Sequence, residues 1–283
     1  MSETLKQLWR DELELFYVSP DIKIDWVNME FDDNYSKYSR DGLIFTGPNG
    51  SSEASPIKGY FESRYLCIRG ALDSILNPPP TPLRERKEVE VNLLVSNVRD
   101  IKNLELVDSK CIKVKVHSFD DVNLVKKVRD IVGTSFKIRI DCNGVFNIED
   151  AKKVSDLLLS TNIEFIEQPC LTNAENAELH KIIDVPIALD ETANNEHDID
   201  EIHSLDAGDI IVVKVQTSGG IFAAKDLIDQ WSKDFVISST METEVGTELG
   251  FILAQSVPEL KFASGLKPSP INNIISEPLY GIS

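Results

Sequence analysis

The chain has 283 residues, with 29 basic against 47 acidic side chains and a formal charge of -18. Such a surface excludes nucleic acid and anionic membrane as natural partners, because neither polyanion is drawn to it. No basic region followed by an apolar stretch opens the chain and no window is long enough to cross a bilayer, which predicts a cytoplasmic protein. Nothing in the pattern separates a monomer from a homo-oligomer.

In chain order, residues 22–31 and 42–46 read as strands, 47–56 as a Gly/Pro/Ser-rich turn and 60–76 as a helix. Pro78-Pro79-Pro80 then forms a stiff connection. This predicts a small α+β domain over residues 1–88, docked on a second domain over 89–283. Cys67, Cys111, Cys142 and Cys170 are scattered without a C-x-x-C pair, and read as reduced, buried thiols rather than zinc ligands or a disulfide framework.

From residue 89 the chain alternates short β-branched or apolar runs with amphipathic stretches. The runs are 89–95, 111–116, 136–141, 163–167, 186–190, 210–215, 235–238 and 261–264. Helical patterns cover 121–132, 148–159, 174–183 and 221–231, with Val122, Val125, Val128 and Val132 on one stripe of the first. Eight parallel strands with intervening helices predict an α/β fold, a TIM-like barrel. Pro268, Pro270 and Pro278 in the tail predict a last helix that is missing or irregular.

Five ionisable residues close successive runs: Lys115, Asp141, Glu167, Asp190 and Lys214, spaced by 26, 26, 23 and 24 positions. That interval is one strand-loop-helix unit, so all five side chains converge at one end of a parallel barrel. In Ile112-Lys113-Val114-Lys115-Val116, alternation turns both lysines inward and both valines toward the helices. An isolated K-x-K would read as the solvated face of an edge strand, but the second strand of a barrel has no such edge. Two neighbouring ammonium groups disfavour each other's charge, which makes Lys115 the candidate general base and Lys113 the residue that tunes it.

A single Asp at a strand end serves as readily as a helix cap. Three carboxylates on successive strands carry a repulsion that a hard divalent ion with oxygen ligands resolves, so Asp141, Glu167 and Asp190 are the candidate ligands of Mg²⁺, with Mn²⁺ as a substitute. Lys214 faces Lys115 across the mouth, and a structural ion pair with Asp190 or Glu167 is compatible with a catalytic role. Ser218-Gly219-Gly220 reads either as an anion-binding helix start or as a tight turn. Small and hydroxyl residues around Ser239 and Gly265, at the ends of the last two strands, leave room for substrate. His117, His180, His197 and His203 fall outside these positions and read as surface or structural residues.

K-x-K, then Asp, Glu-Gln-Pro, Asp-Glu, Lys and Gly-Gly in this order resemble the enolase superfamily, specifically its muconate-lactonising subgroup, over residues 113–265. Within it, Arg40-Asp-Gly-Leu-Ile-Phe-Thr-Gly-Pro48 followed by Glu53-Ala-Ser-Pro56 is similar to the short o-succinylbenzoate synthase family, which acts in menaquinone biosynthesis. Arg139 matches an arginine that members use near the substrate, and Thr243 stands where the family's Ser-Ser-x-x-Glu-Ser ends in serine. Ser51 and Ser52 replace a tryptophan common in the short forms. The resemblance implies a modified (β/α)7β barrel with an N-terminal α+β capping domain. It also implies a lyase that dehydrates a cyclohexadiene carboxylate, with Lys115 as base and Lys214 as cation.

Two rivals are weighed. One is an epimerase or N-succinyl (N-acyl) amino acid racemase on the same scaffold, with Lys115 and Lys214 alternating as base. Dipeptide epimerases typically carry an acidic D-x-D after the eighth strand, where this chain has Ser264-Gly265-Leu266-Lys267. The other is a non-catalytic barrel that keeps the charges as a structural cluster, which an absence of metal dependence would support.

Overall fold

The computed structural model describes residues 2–31, 39–83, 88–100, 109–266 and 271–280. A four-stranded antiparallel sheet forms the cap. Helix α1 (Ser2–Leu13), strands β1 (Lys23–Phe31), β2 (Ser39–Gly47) and β3 (Gly50–Ala54), and helix α2 (Arg64–Leu76) come from the amino-terminal part. The turn expected at 47–56 is a tight hairpin: Gly47 pairs with Gly50, and Gly50 takes φ 114° where a side chain would be strained. Trp9 of α1 and Ile68 and Ile75 of α2 pack on Ile24, Leu43 and Phe45 of the sheet, all fully buried.

Seven parallel strands follow in chain order around the second domain: β4 (Leu93–Val95), β5 (Cys111–Lys115), β6 (Lys137–Asp141), β7 (Ile166–Glu167), β8 (Ile187–Leu189), β9 (Ile210–Lys214) and β10 (Asp234–Ser238). Residues 264–265 supply the eighth position. Ser264 bridges Val91, Gly265 bridges Ser238, and both bridges are parallel, so the sheet closes on itself. The helices between strands are α3 (Val122–Val132), α4 (Ile148–Leu158), α5 (Asn173–His180), α6 (Glu196–Leu205), α7 (Ile221–Gln230) and α8 (Glu244–Ser256). The expected valine stripe of α3 is buried as predicted. Asn147, Thr172 and Asn195 accept from backbone N–H groups to start α4, α5 and α6, which fixes where each loop at the barrel mouth ends.

Alternation sorts the core into two layers. Ile112, Val114, Ile211 and Val213 join the layer between strands and helices, whereas Phe165, Ala188, Ile210, Val212, Val236 and Phe262 fill the barrel interior. The residue parity that buries Ile210 and Val212 inside therefore turns Lys214 inward too.

The tail does something the sequence reading did not anticipate. Strand β11 (Ile271–Tyr280) returns to the cap and pairs antiparallel with β1. The expected division at 88/89 assigns this tail to the barrel, whereas its strand pairs with the cap and covers the otherwise free edge of β1. Pro268 and Pro270 lie outside the described residues, while Pro278 sits in β11 beside a register shift, where a strand tolerates proline. No described helix is long and apolar enough to cross a membrane.

Candidate active site

The parallel register brings the charged ends together. Lys115 lies opposite Asp141, and Asp141 opposite Glu167, while Asp190 follows β8 directly and Lys214 ends β9. Asp141, Glu167, Asp190 and Lys214 are all buried. Lys113 Nζ donates to Glu167 Oε1 at 2.6 Å and lies 2.9 Å from Asp141 Oδ2. Lys115 Nζ donates to Asp141 Oδ2 and to Asn143 Oδ1, both at 2.7 Å. Lys214 Nζ donates to Asp190 Oδ2 at 2.6 Å and to the hydroxyl of Tyr60 on the cap. The Lys115 side chain is 25% accessible, against 13% for Lys113 and 7% for Lys214, so Lys115 is the lysine a substrate can reach.

Burial opposes every charge here, and the neighbours decide the outcome. Burial alone would raise Asp141, but Lys113 and Lys115 outweigh it and hold that carboxyl below the usual range. Glu167 is pushed up to about 8 by burial and then by the Asp141 carboxylate, despite Lys113. Lys113 is raised, since Asp141 and Glu167 together overcome its desolvation. The mutual lowering expected of two adjacent lysines is thus not what governs Lys113: both ammonium groups lie within 2.9 Å of the Asp141 carboxylate, and Lys113 meets Glu167 as well. Lys214 is raised as well, with Asp190 prevailing over burial.

As placed, no three acidic, histidine or cysteine side chains among the described residues converge to ligand distance, and each of the three carboxyl groups is engaged by a lysine. The donor set still fits a hard divalent cation. It is all carboxylate oxygen at the ends of three adjacent strands, and burial followed by the Asp141 carboxylate raises Glu167. Glu191, next to Asp190, adds a fourth carboxyl, raised by burial and by Asp190, with Oε2 buried and unpartnered and Oε1 accepting from Asn143 Nδ2 at 2.9 Å.

Arg139 is not part of this cluster. Its side chain is 2% accessible, donates from Nε to Glu164 Oε2 and from NH1 to Ala263 O, both at 2.7 Å, and stacks on Phe165 and Phe262. Both partners precede their strand ends, so the guanidinium packs in the floor of the barrel, away from the mouth where the match to a substrate-side arginine would put it. Ser239 Oγ donates to Gly265 O at 3.1 Å, and a Cβ on Gly265 would meet Ser238 Oγ at 2.4 Å, so these two residues hold the β10 seam closed. Gly219 and Gly220, at φ 87° and 118°, serve a close approach: a Cβ on Gly70 of α2 would meet Gly219 O at 2.5 Å. The glycine pair is where the cap helix rests on the barrel.

Sequence reasoning missed Tyr60, Asn143, Glu191 and the clamp between cap and barrel. Asn143 sits at φ 47°, a conformation asparagine tolerates, in the turn after Asp141, and its Oδ1 also lies 3.0 Å from His117 Nε2. Its spacing from Asp141 was a usable signal. The clamp consists of buried Arg40, which donates to Thr240 O at 2.5 Å and Met241 O at 2.7 Å, and Glu53, whose Oε2 accepts from Thr243 N at 2.9 Å and Gly246 N at 3.3 Å. A cap carboxylate thereby caps α8 of the barrel, a pairing no local pattern reveals. Of the histidines, His180 lies 3.1 Å from Asp209 and His203 stacks on Trp231.

The enolase C-terminal domain-like family model matches residues 100–278. The chain is 34% identical over 238 residues to an o-succinylbenzoate synthase of Thermobifida fusca, covering 80% of this chain and 74% of that protein. To the o-succinylbenzoate synthase of Mycobacterium tuberculosis (strain H37Rv) it is 32% identical over 240 residues, 81% of this chain and 72% of the other. Among solved structures, muconate cycloisomerase from Pseudomonas fluorescens superposes with a TM-score of 0.72 over 88% of each chain at 14% identity, which speaks to the fold alone. The closed parallel barrel, its antiparallel cap and these relatives agree: the chain belongs to the enolase superfamily, in the o-succinylbenzoate synthase family.

Proposed function

We propose that this chain acts as an o-succinylbenzoate synthase, a hydro-lyase that converts 2-succinyl-6-hydroxy-2,4-cyclohexadiene-1-carboxylate to o-succinylbenzoate and water, in the cytoplasm, as a step toward menaquinone. The observation that carries the reading is the flanking of three buried carboxylates by Lys115 on one side and Lys214 on the other. Relatives of this name at 32–34% identity support it.

Asp141, Glu167 and Asp190 would hold the divalent cation, Mg²⁺ or Mn²⁺. When bound, it supplies positive charge where negative charge grows on the substrate carboxylate, which eases removal of a weakly acidic C–H. In its neutral form Lys115 takes the proton from the carbon alpha to the carboxylate. Protonated, the same lysine returns that proton to the departing hydroxide, which leaves as water from the same face, and the ring becomes aromatic. Asn143 orients the amine through its 2.7 Å contact. Lys214, cationic against Asp190, faces the developing charge from the far side.

The same lysine pair would serve racemisation of N-succinyl amino acids if Lys214 also exchanged protons. Its engagement by both Asp190 and Tyr60 favours the fixed electrostatic role. The test is product analysis by NMR of purified protein with Mg²⁺ and either substrate in D₂O. Rapid formation of o-succinylbenzoate supports the synthase. Alpha-deuterium incorporation into N-succinyl amino acids without aromatic product would replace it by the racemase.

A further inference from the structure

A cap residue reaches into the mouth from a stiff corner. Between β3 and α2, Tyr60 N and Phe61 N donate to Ile57 O at 3.1 and 2.9 Å, Gly59 takes φ 78°, and Gly59 N donates to Glu62 Oε1 at 2.5 Å. Ser63 then caps α2 by accepting from Leu66 N at 3.2 Å, so the helix expected from residue 60 starts at Arg64. The four residues before Arg64 are thereby free to form the corner. Its base is tied to the barrel, since Ser55 N donates to Gln216 Oε1 at 2.5 Å and Gln216 Nε2 donates to Ser55 O at 3.1 Å and to Thr240 Oγ1 at 2.9 Å.

From this corner the Tyr60 hydroxyl accepts from Lys214 Nζ and donates to Asp190 Oδ1 at 3.3 Å. The residue as a whole remains 37% accessible, so its tip is engaged while part of it stays open to solvent. An ammonium has three protons. Asp190 and Tyr60 take two, which leaves one for a charge that enters the mouth and fixes its direction. Asp190 alone does not secure this, because any charge it gives to a cation it withdraws from Lys214. The phenol is the partner with no competing charge.

We propose that Tyr60 is a positioning residue for the reaction: from the cap, its hydroxyl aims the Lys214 ammonium at the substrate. The proposal rests on the functional reading above.

The experiment compares the full chain with Tyr60→Phe, which removes one oxygen and keeps the ring. In steady-state kinetics with Mg²⁺, kcat should fall about tenfold or more while KM stays within about threefold, since an oriented charge is lost and access is not. In the second arm, free of divalent metal and substrate, reductive methylation is followed by peptide mass spectrometry. Lys214 should label faster in the variant, with exposed Lys152 on α4 as an unchanged reference. An unchanged kcat overturns the proposal. So does a fall in kcat with unchanged Lys214 labelling, because the hydroxyl then acts through another group. A wild type inert toward the cyclohexadiene carboxylate would instead overturn the functional reading, and the labelling arm would still decide whether Tyr60 holds Lys214.

Discussion

Lys113 Nζ stands 2.6 Å from Glu167 Oε1, and the same ammonium lies 2.9 Å from Asp141 Oδ2. One lysine thus bridges two carboxyl groups that sit on neighbouring strands and would otherwise repel each other in a buried site. Lys113 and Lys115 meet at the Asp141 carboxylate, which both contact.

Replacing Lys113 by methionine leaves Asp141 buried with one ammonium, Lys115, and takes from buried Glu167 the ammonium it accepts from. The expected cost in EDTA is about 3 kcal/mol, as for a broken buried pair. Since the lysine competes with a cation for these oxygens, Mg²⁺ should raise the melting temperature of the variant more than that of the wild type. Thermal melts with and without Mg²⁺ check both statements, and equal shifts for the two proteins would contradict them.

Arg139→Met separates a structural from a substrate-side role. Losing the 2.7 Å bonds to Glu164 and Ala263 O, which leaves the Glu164 carboxylate only Lys137 at 3.9 Å, should cost about 3 kcal/mol in urea unfolding. At temperatures where the variant is folded, KM should stay within about threefold of wild type, because the guanidinium is in the barrel floor. A selective rise in KM without loss of stability would restore the substrate-side role.

The barrel was legible because its strands obey two periods at once. The 26-residue spacing places Lys115, Asp141 and Glu167 at one end, and alternation along Ile112 to Val116 decides which face the lysines occupy. What stayed hidden was non-local. Nothing near Tyr60 signals that its hydroxyl meets Lys214, 154 positions away, and nothing near Ile271 signals that the tail covers the edge of β1. Arg139 misled for a related reason: the resemblance fixes its place in the chain but not the direction of its guanidinium, which packs against Glu164 and Ala263 O. Gly219-Gly220 was ambiguous until the partner, Gly70 on another domain, was visible.

Gly70→Ala tests that joint. The added methyl would stand 2.5 Å from Gly219 O and 2.6 Å from Gly220 N, backbone atoms that cannot swing aside. Overpacking of this kind should cost about 1–3 kcal/mol and loosen the cap. Limited proteolysis should then cut the cap faster than in the wild type, and an unaltered digestion pattern would contradict the close approach.

Burial holds the Cys111 and Cys170 thiols up to about 12, and raises Cys67 and Cys142 as well. Unfolded thiols ionise near about 8.5, so above that pH the native state keeps protons that the unfolded state releases. Stability is therefore fully present below about pH 8 and falls as pH rises toward 12, by up to about 1.4 kcal/mol per pH unit for each thiol. Guanidinium unfolding at pH 8 and pH 10 measures the fall, which should be smaller in Cys111→Ala. At pH 8 no thiol of the native protein should react promptly with a disulfide reagent, and all four should react after unfolding.

The most direct test of the account follows the diene absorbance of 2-succinyl-6-hydroxy-2,4-cyclohexadiene-1-carboxylate with Mg²⁺, for the wild type and Lys115→Ala. The account predicts rapid loss of the diene with the wild type and a rate lower by about a thousandfold or more in the variant, whose base is gone. An inert wild type, or a Lys115→Ala protein that turns over at a comparable rate, would contradict it.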